Sequence, residues 1–178
     1  MGMLSMEPNR LLVETVANLP PGRALDIAMG EGRNSVFLAM KGWQVTGFDV
    51  SDEALRQAQA RAARAGVKIE TIRMASGDFD YGRDQWDLIL LSYALAPLRD
   101  PNYVQRLHDS LRPGGRVVFE HYLRSARRAP GMPERGELPR LFAGFKLLRY
   151  EETVMQSDWT FRSKAALARM VAAKQPGI

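Results

Sequence analysis

Three features of the sequence predict an α/β fold: a Rossmann-like, doubly wound, mostly parallel sheet of seven strands with helices on both faces. Short apolar runs rich in branched residues alternate with helical stretches, the pattern of successive βαβ units. The first run opens into a G-x-G turn, Gly30 and Gly32, that leads straight into a helical pattern. The second run closes on Asp49, placing an acid at a strand end beside that turn.

Taken in order, residues 9–18 carry Leu11, Leu12 and Val16 at helical spacing and read as a leading helix packed on the sheet. Strands follow at 24–28, 44–48, 68–73, 87–91 and 116–121, with helices at 32–40, 52–65 and 103–111. The helix at 52–65 has clear ends: Ser51 is placed to cap it, Asp52 and Glu53 sit where the macrodipole favours acids, and Gly66 stops it. Arg112-Pro113-Gly114-Gly115 reads as the turn that stops the next helix and hands the chain to the fifth strand. Residues 123–136 hold Pro130, Pro133, Gly131 and Gly136 and read as a loop, with 123–142 as a mobile cover over a substrate. Strands at 145–153 and 165–172 finish the sheet, and residues 1–178 read as one domain without repeats.

Composition narrows the chemistry. The chain has 178 residues, 46% of them hydrophobic, which suffices for one core. It lacks an apolar run of membrane-spanning length and a basic start leading into an apolar segment, so a cytoplasmic location is expected, with no membrane partner. Cysteine is absent and the two histidines are His108 and His121, so disulfides, a cysteine nucleophile and a metal site are not expected. The formal charge is +5, concentrated between Arg124 and Arg149, where seven Lys or Arg face the two acids Glu134 and Glu137. That stretch reads as a solvated basic surface, with RNA as the rival partner. Trp43, Trp86 and Trp159 are scattered and read as packing rather than a base-stacking platform.

The segment Ala24 to Asn34 is a buried strand, a glycine turn and a helix start, the arrangement that lets backbone approach a nucleotide-like cofactor. Ser35 stands where the dinucleotide fingerprint has its third glycine, which argues against NAD or FAD. Asp49 is suited to accept hydrogen bonds from both ribose hydroxyls, and as a strand-end carboxylate over a crevice it should support little of the fold itself.

Together LDIAMGEGRNS, VTGFDVS, WDLILL and LRPGGRVVFE resemble the class I methyltransferases that use S-adenosylmethionine (SAM), in that family's order over residues 9–122. Within it, the GEGRN turn, the preceding PNRLLVE and LPPGRALD, and the compact tail are similar to the small tellurite-resistance-type and thiol- or small-molecule-methylating branch. The resemblance implies the class I methyltransferase fold in a compact form with a short N-terminus. It implies that Asp26 organises the turn and the methionine amine, and that Ala28, Gly30 and Gly32 contact the cofactor. Arg33 and Asn34 would meet the methionine carboxylate, Asp49 the ribose and Val50 one adenine face, while Ser92 and Tyr93 would approach the methionine end and the substrate.

Two departures from the family stand out. The acid that often recognises the adenine amino group is displaced: the stretch reads Met74-Ala75-Ser76-Gly77-Asp78, so either Asp78 reaches the adenine or backbone around Ser76 makes the contact. Only residues 1–6 precede the leading helix, where relatives carry a segment that folds over the cofactor.

Methyl transfer asks for in-line approach and sometimes a base. Glu120 and His121, at the carboxyl end of the fifth strand, and Tyr93 are the candidate bases, and because Glu120 and His121 alternate across the sheet at most one points usefully. The expected activity is methylation of a small-molecule thiol, chalcogenide, hydroxyl or amine, with S-adenosylhomocysteine as product. The alternatives are an RNA methyltransferase, against which Ser92-Tyr93-Ala94-Leu95 lacks an Asn-Pro-Pro-Tyr-like tetrad, and a degenerate relative acting as an interaction module.

Overall fold

The computed structural model describes residues 6–125, 131–160 and 164–177. Its strands are β1 (Arg23–Ile27), β2 (Gln44–Asp49), β3 (Glu70–Arg73), β4 (Trp86–Ser92), β5 (Leu111–Tyr122), β6 (Lys146–Met155) and β7 (Ala165–Ala173). Its helices are α1 (Arg10–Val16), α2 (Arg33–Met40), α3 (Asp52–Arg64), α4 (Tyr103–Ser110) and α5 (Glu137–Leu141). The strands form one sheet in the order β3-β2-β1-β4-β5-β7-β6. All neighbours pair in parallel except β7, which runs antiparallel to β5 and β6. This is the seven-stranded, mostly parallel sheet that the sequence predicts.

Strand β4 shows why the central runs are apolar throughout. Leu88 and Leu90 face a core shared with Leu11 and Leu12 of α1, Val36 and Leu38 of α2 and Leu55 of α3, while Ile89 and Leu91 face a second core with Tyr103 and Leu107 of α4 and Leu138 of α5. A strand covered on both faces cannot alternate polar and apolar positions. The helix ends follow the sequence signals: Asn9 and Ser51 accept from the N–H groups of Leu12 and Ala54, and Gly66 takes the left-handed conformation beyond α3 with φ +69°.

Two expectations are corrected. The turn at 112–115 lies inside β5, because Gly114 N–H donates to Lys174 O and Lys174 N–H to Gly115 O, drawing those residues into pairing with the end of the β7 segment. Pro113 is accommodated there because the β4–β5 register is irregular between Trp86 and Leu88. Part of the expected loop at 123–142 is the short helix α5, and residues 126–130 lie outside the described residues.

The chain runs from β1 toward β2 on one side and from β4 toward β5 on the other, so the order reverses between β1 and β4. The carboxyl ends of these strands therefore open onto a crevice, where doubly wound sheets place their ligands. Among the described residues no helix is long and apolar enough to cross a membrane.

Candidate active site

After Ile27 the chain passes through Ala28, Gly30 and Gly32, with φ of +52°, +55° and +79°, before entering α2. Gly32 is required twice over, since a Cβ there would also lie 2.8 Å from the Cβ of Ala58 on α3. Ala28 has no such licence; a non-glycine residue held in this region costs about 1–3 kcal/mol and tends to mark functional sites. Tyr93, just beyond β4, has φ +54° as well, and both residues line one cavity of about 800 Å³ over the carboxyl ends of the strands.

The glycine turn and Asp49 form a single unit. Asp49 Oδ2 accepts from Gly30 N–H at 2.9 Å and Oδ1 from Ser51 N–H at 3.0 Å, so this carboxylate also fixes the turn and the start of α3. The expectation that Asp49 supports little of the fold is corrected on that ground. Asp26 lies buried at the end of β1, where Ser35 Oγ donates to its Oδ2 at 2.6 Å. The residue in place of the third glycine is thus a hydroxyl that holds the strand-end carboxyl. Burial is the main cause that pushes Asp26 up from 3.8 to about 7.

Arg33 lines the cavity at the start of α2, but its guanidinium is already engaged: Asp158 Oδ1 lies 3.3 Å away, and Ser92 Oγ accepts at 3.3 Å. Asn34 also lines the cavity, its Oδ1 accepting from Asn9 N–H at 2.7 Å and so tying α1 to α2. Toward β2 and β3 the lining includes Val50, Met74, Ala75, Ser76 and Gly77. Ser76 Oγ donates to Leu95 O at 2.7 Å. Asp78 does not join them. The turn that closes with Asp78 N–H donating to Ala75 O carries its side chain to a second hollow lined by Phe79, Asp80 and Tyr81. Val50, Met74 and Leu95 are 60%, 37% and 55% exposed, so a rim of apolar side chains stands open at this end.

The three candidate bases separate clearly. Glu120 does not line the cavity; it is buried on the α1 side of β5, where Asn9 Nδ2 and Arg169 Nε donate to it at 2.9 and 2.8 Å. Tyr93 lines the cavity, but its hydroxyl donates to Glu120 at 2.7 Å and burial pushes its pKa well above that of an ordinary phenol. Both are therefore corrected as bases, one by its ion pair and the other by its hydrogen bond. His121 lines the cavity, is 4% exposed, and neither ring nitrogen has a hydrogen-bond partner. Burial lowers its pKa to about 4, which keeps the ring neutral near pH 7.

Several residues of this site escaped the sequence reading, Tyr122 of the cavity lining among them. Trp43 and Trp86 are buried packing residues, as expected, but Trp159 lines the cavity and stacks on Tyr93 with centroids 5.2 Å apart. Asp158 binds Arg33 and also accepts from Arg10 N–H at 2.8 Å, clamping the start of α1. From the expected cover, Met132 reaches the cavity, and Gly131, at φ +85°, packs so close that a Cβ would lie 2.3 Å from Ala94 O.

A family model described as a methyltransferase domain matches residues 24–115. Among curated relatives, a ubiquinone biosynthesis O-methyltransferase of Pseudomonas syringae pv. tomato is 31% identical over 109 residues, 60% of this chain and 47% of that protein. A counterpart from Shewanella pealeana is 32% identical over 127 residues, 69% of this chain and 54% of the relative. The chain thus spans about half the length of the curated relatives it matches. Among solved structures, TehB from Haemophilus influenzae superposes with a TM-score of 0.79 at 18% identity, over 92% of this chain and 61% of that one. The 1,6-didemethyltoxoflavin-N1-methyltransferase of Burkholderia thailandensis, bound to its substrate and S-adenosylhomocysteine, gives 0.71 at 20% identity over 93% and 76%. These likenesses establish the class I methyltransferase fold.

Proposed function

The chain belongs to the methyltransferase domain family, and we propose that it binds SAM at the carboxyl edge of its sheet and methylates a small-molecule nucleophile in the cytoplasm. The observation that carries this reading is the bond from Gly30 N–H to Asp49, which joins glycine turn and strand-end acid into one site on a cavity of about 800 Å³. Such a volume lies in the upper part of the range for small-molecule sites. The relatives' names, O-methylation in ubiquinone biosynthesis and N1-methylation of 1,6-didemethyltoxoflavin, support a small acceptor.

The residues fit the cofactor. A Cβ on Gly30 would meet nothing within 4 Å, so its backbone faces open space. Asp49 can share its carboxylate between the turn and ribose hydroxyls, and the open rim of Val50, Met74 and Leu95 suits a flat base, with backbone at 74–77 taking the role vacated by Asp78. Asp26 and Arg33 stand near the start of α2, where a methionine amine and carboxylate would be held. When bound, SAM supplies an electrophilic methyl group on a sulfonium. The protein's part is to hold the acceptor in line and exclude water from a site walled by Tyr93, Tyr122 and Trp159.

Calorimetry tests this. SAM and S-adenosylhomocysteine should bind at micromolar concentration, about −7 to −8 kcal/mol, and NAD far more weakly. Asp49→Ala should weaken SAM at least roughly tenfold and, unlike an ordinary surface change, also lower the melting temperature of the unliganded protein, because two backbone N–H groups lose their acceptor. No heat with millimolar SAM, or unaltered affinity in Asp49→Ala, overturns the assignment.

A further inference from the structure

Glu120 lies buried on the α1 side of β5 and outside the cavity lining, yet residues bonded to it reach the cavity from two directions. Resting on the reading of that cavity as a SAM site, we propose that Glu120 is its positioning residue. From behind the sheet it sets the place of Tyr93 beyond β4 and, through Asn9, of Asn34 at the start of α2.

The hold on Tyr93 is double. Its N–H donates to Glu120 O at 2.7 Å and its hydroxyl donates to Glu120 Oε2 at 2.7 Å, so one residue fixes both its main chain and the tip of its ring. Only the second bond depends on the Glu120 side chain. A bulky residue at φ +54° needs such a hold, because the left-handed region is unfavourable for it and persists only where the surroundings over-determine it. Tyr93 in turn stacks on Trp159, with centroids 5.2 Å apart and planes 20° from parallel, and both rings line the cavity.

The second branch runs through Asn9. Its Oδ1 caps α1 by accepting from Leu12 N–H, which leaves Nδ2 to donate to Glu120 Oε2 at 2.9 Å. Its own N–H donates to Asn34 Oδ1 at 2.7 Å, and Asn34 lines the cavity where the resemblance places the methionine carboxylate. One carboxylate oxygen of Glu120 thus joins two residues whose other contacts lead to different parts of the cavity wall.

Stability alone does not account for this arrangement. Val118 and Val171, two residues from Glu120 and Arg169 and so on the same sheet face, pack with Leu11 and Leu12. Apolar side chains at 120 and 169 would continue that core. An ion pair stands there instead, its side chains 3% and 6% exposed, with Arg169 Nε donating to Glu120 Oε1 at 2.8 Å. Apolar residues of like volume often match or exceed a buried ion pair in stability, but they do not fix direction. A carboxylate held by donors from α1, β7 and the end of β4 has one place to be.

Substitutions separate positioning from folding. Glu120→Gln keeps the volume but offers one acceptor oxygen to three donors, and Tyr93→Phe removes only the hydroxyl. Calorimetry at a temperature where every variant is folded should find S-adenosylhomocysteine bound about tenfold more weakly by Glu120→Gln and about threefold more weakly by Tyr93→Phe. The double variant should bind no more weakly than Glu120→Gln, because both changes cut the same bond. Val171→Ala, on the same face and outside the cavity lining, should lower the melting temperature and leave the affinity as in the parent. Near-ultraviolet circular dichroism follows the Tyr93–Trp159 stack as the signal lost in Trp159→Phe; Glu120→Gln should diminish it and Val171→Ala should keep it. Should Glu120→Gln not fold, Tyr93→Phe carries the affinity test, since a hydroxyl that served folding alone would lower the melting temperature only. Unaltered affinity in Glu120→Gln or, failing that variant, in Tyr93→Phe overturns the inference, as do losses that multiply in the double variant or an undiminished stack signal in Glu120→Gln. Binding of S-adenosylhomocysteine to the parent is measured first: its failure removes the cofactor reading, and the stack signal then decides whether Glu120 sets Tyr93.

Discussion

Asp26 carries a pH dependence that follows from its enclosure. Burial raises its pKa from 3.8 to about 7; the Ser35 hydrogen bond and Arg33 oppose the rise, and the charge of Asp49 adds to it. The folded state therefore holds this proton more tightly than the unfolded chain. Below about pH 4 both states are protonated and nothing is lost. Between about pH 4 and 7 the unfolded chain ionises first, so stability falls as pH rises, and above 7 the loss is constant at up to about 4 kcal/mol. Asp26→Asn keeps the shape and cannot ionise, so unfolding free energies at pH 5 and pH 8 should show the parent losing stability relative to the variant. Parallel pH profiles would show that Asp26 is not the titrating group. The same residue marks the limit of sequence reading at this scale. Ser35 was visible only as a missing glycine, because its partner is fixed by the geometry of a strand-to-helix turn. Alternation along β5 showed that Glu120 and His121 face opposite ways. Which of them faces the cavity was decided by Asn9 and Arg169, 111 and 49 residues away in sequence.

Elements with local signals, such as α3 with its Ser51 cap and Gly66 stop, were legible residue by residue. The segment between β6 and β7 was not, because its role arises only once β7 returns antiparallel beside β5 and carries that segment over the start of α2. There Asp158 pairs with Arg33, whose side chain is 8% exposed, and accepts from Arg10 N–H and Asn9 Nδ2. Replacing Asp158 by Ala leaves a buried guanidinium without its counter-ion and α1 without its anchor, which should cost about 2 kcal/mol in the unliganded protein. A ligand carboxylate that reaches Arg33 then gains more from binding the variant than the parent. Thermal melts should therefore show Asp158→Ala lowered without ligand and shifted further upward than the parent by S-adenosylhomocysteine. An equal or smaller upward shift would mean that Arg33 does not meet the methionine carboxylate, contrary to what the family resemblance implies for it.

At the scale of the whole molecule the sheet order and its switch point follow from the alternation of runs and helices, but the meaning of the charge does not. A formal charge of +5 with a cluster of arginines between 124 and 149 is compatible in sequence with an RNA-binding face. Folding changes that reading, because several of these arginines are paired with acids. Arg124 pairs with Glu134, Arg135 with Glu152, and Arg149 with both Glu14 and Glu151. Arg127 and Arg128 lie outside the described residues. Each paired arginine would have to give up its carboxylate before meeting a phosphate, so counterion release, the main source of RNA affinity, is diminished at these positions. SAM binding and methylation of a small acceptor should therefore change less than about twofold when salt is raised from roughly 50 to 200 mM, an interval over which six to ten phosphate contacts would lose at least about a thousandfold in affinity. Filter binding of tRNA over the same interval completes the comparison, together with Arg127→Ala and Arg128→Ala, which should leave both activities unaltered. A steep decline of tRNA affinity with salt, reduced by those substitutions, would restore RNA as the acceptor and displace the small molecule.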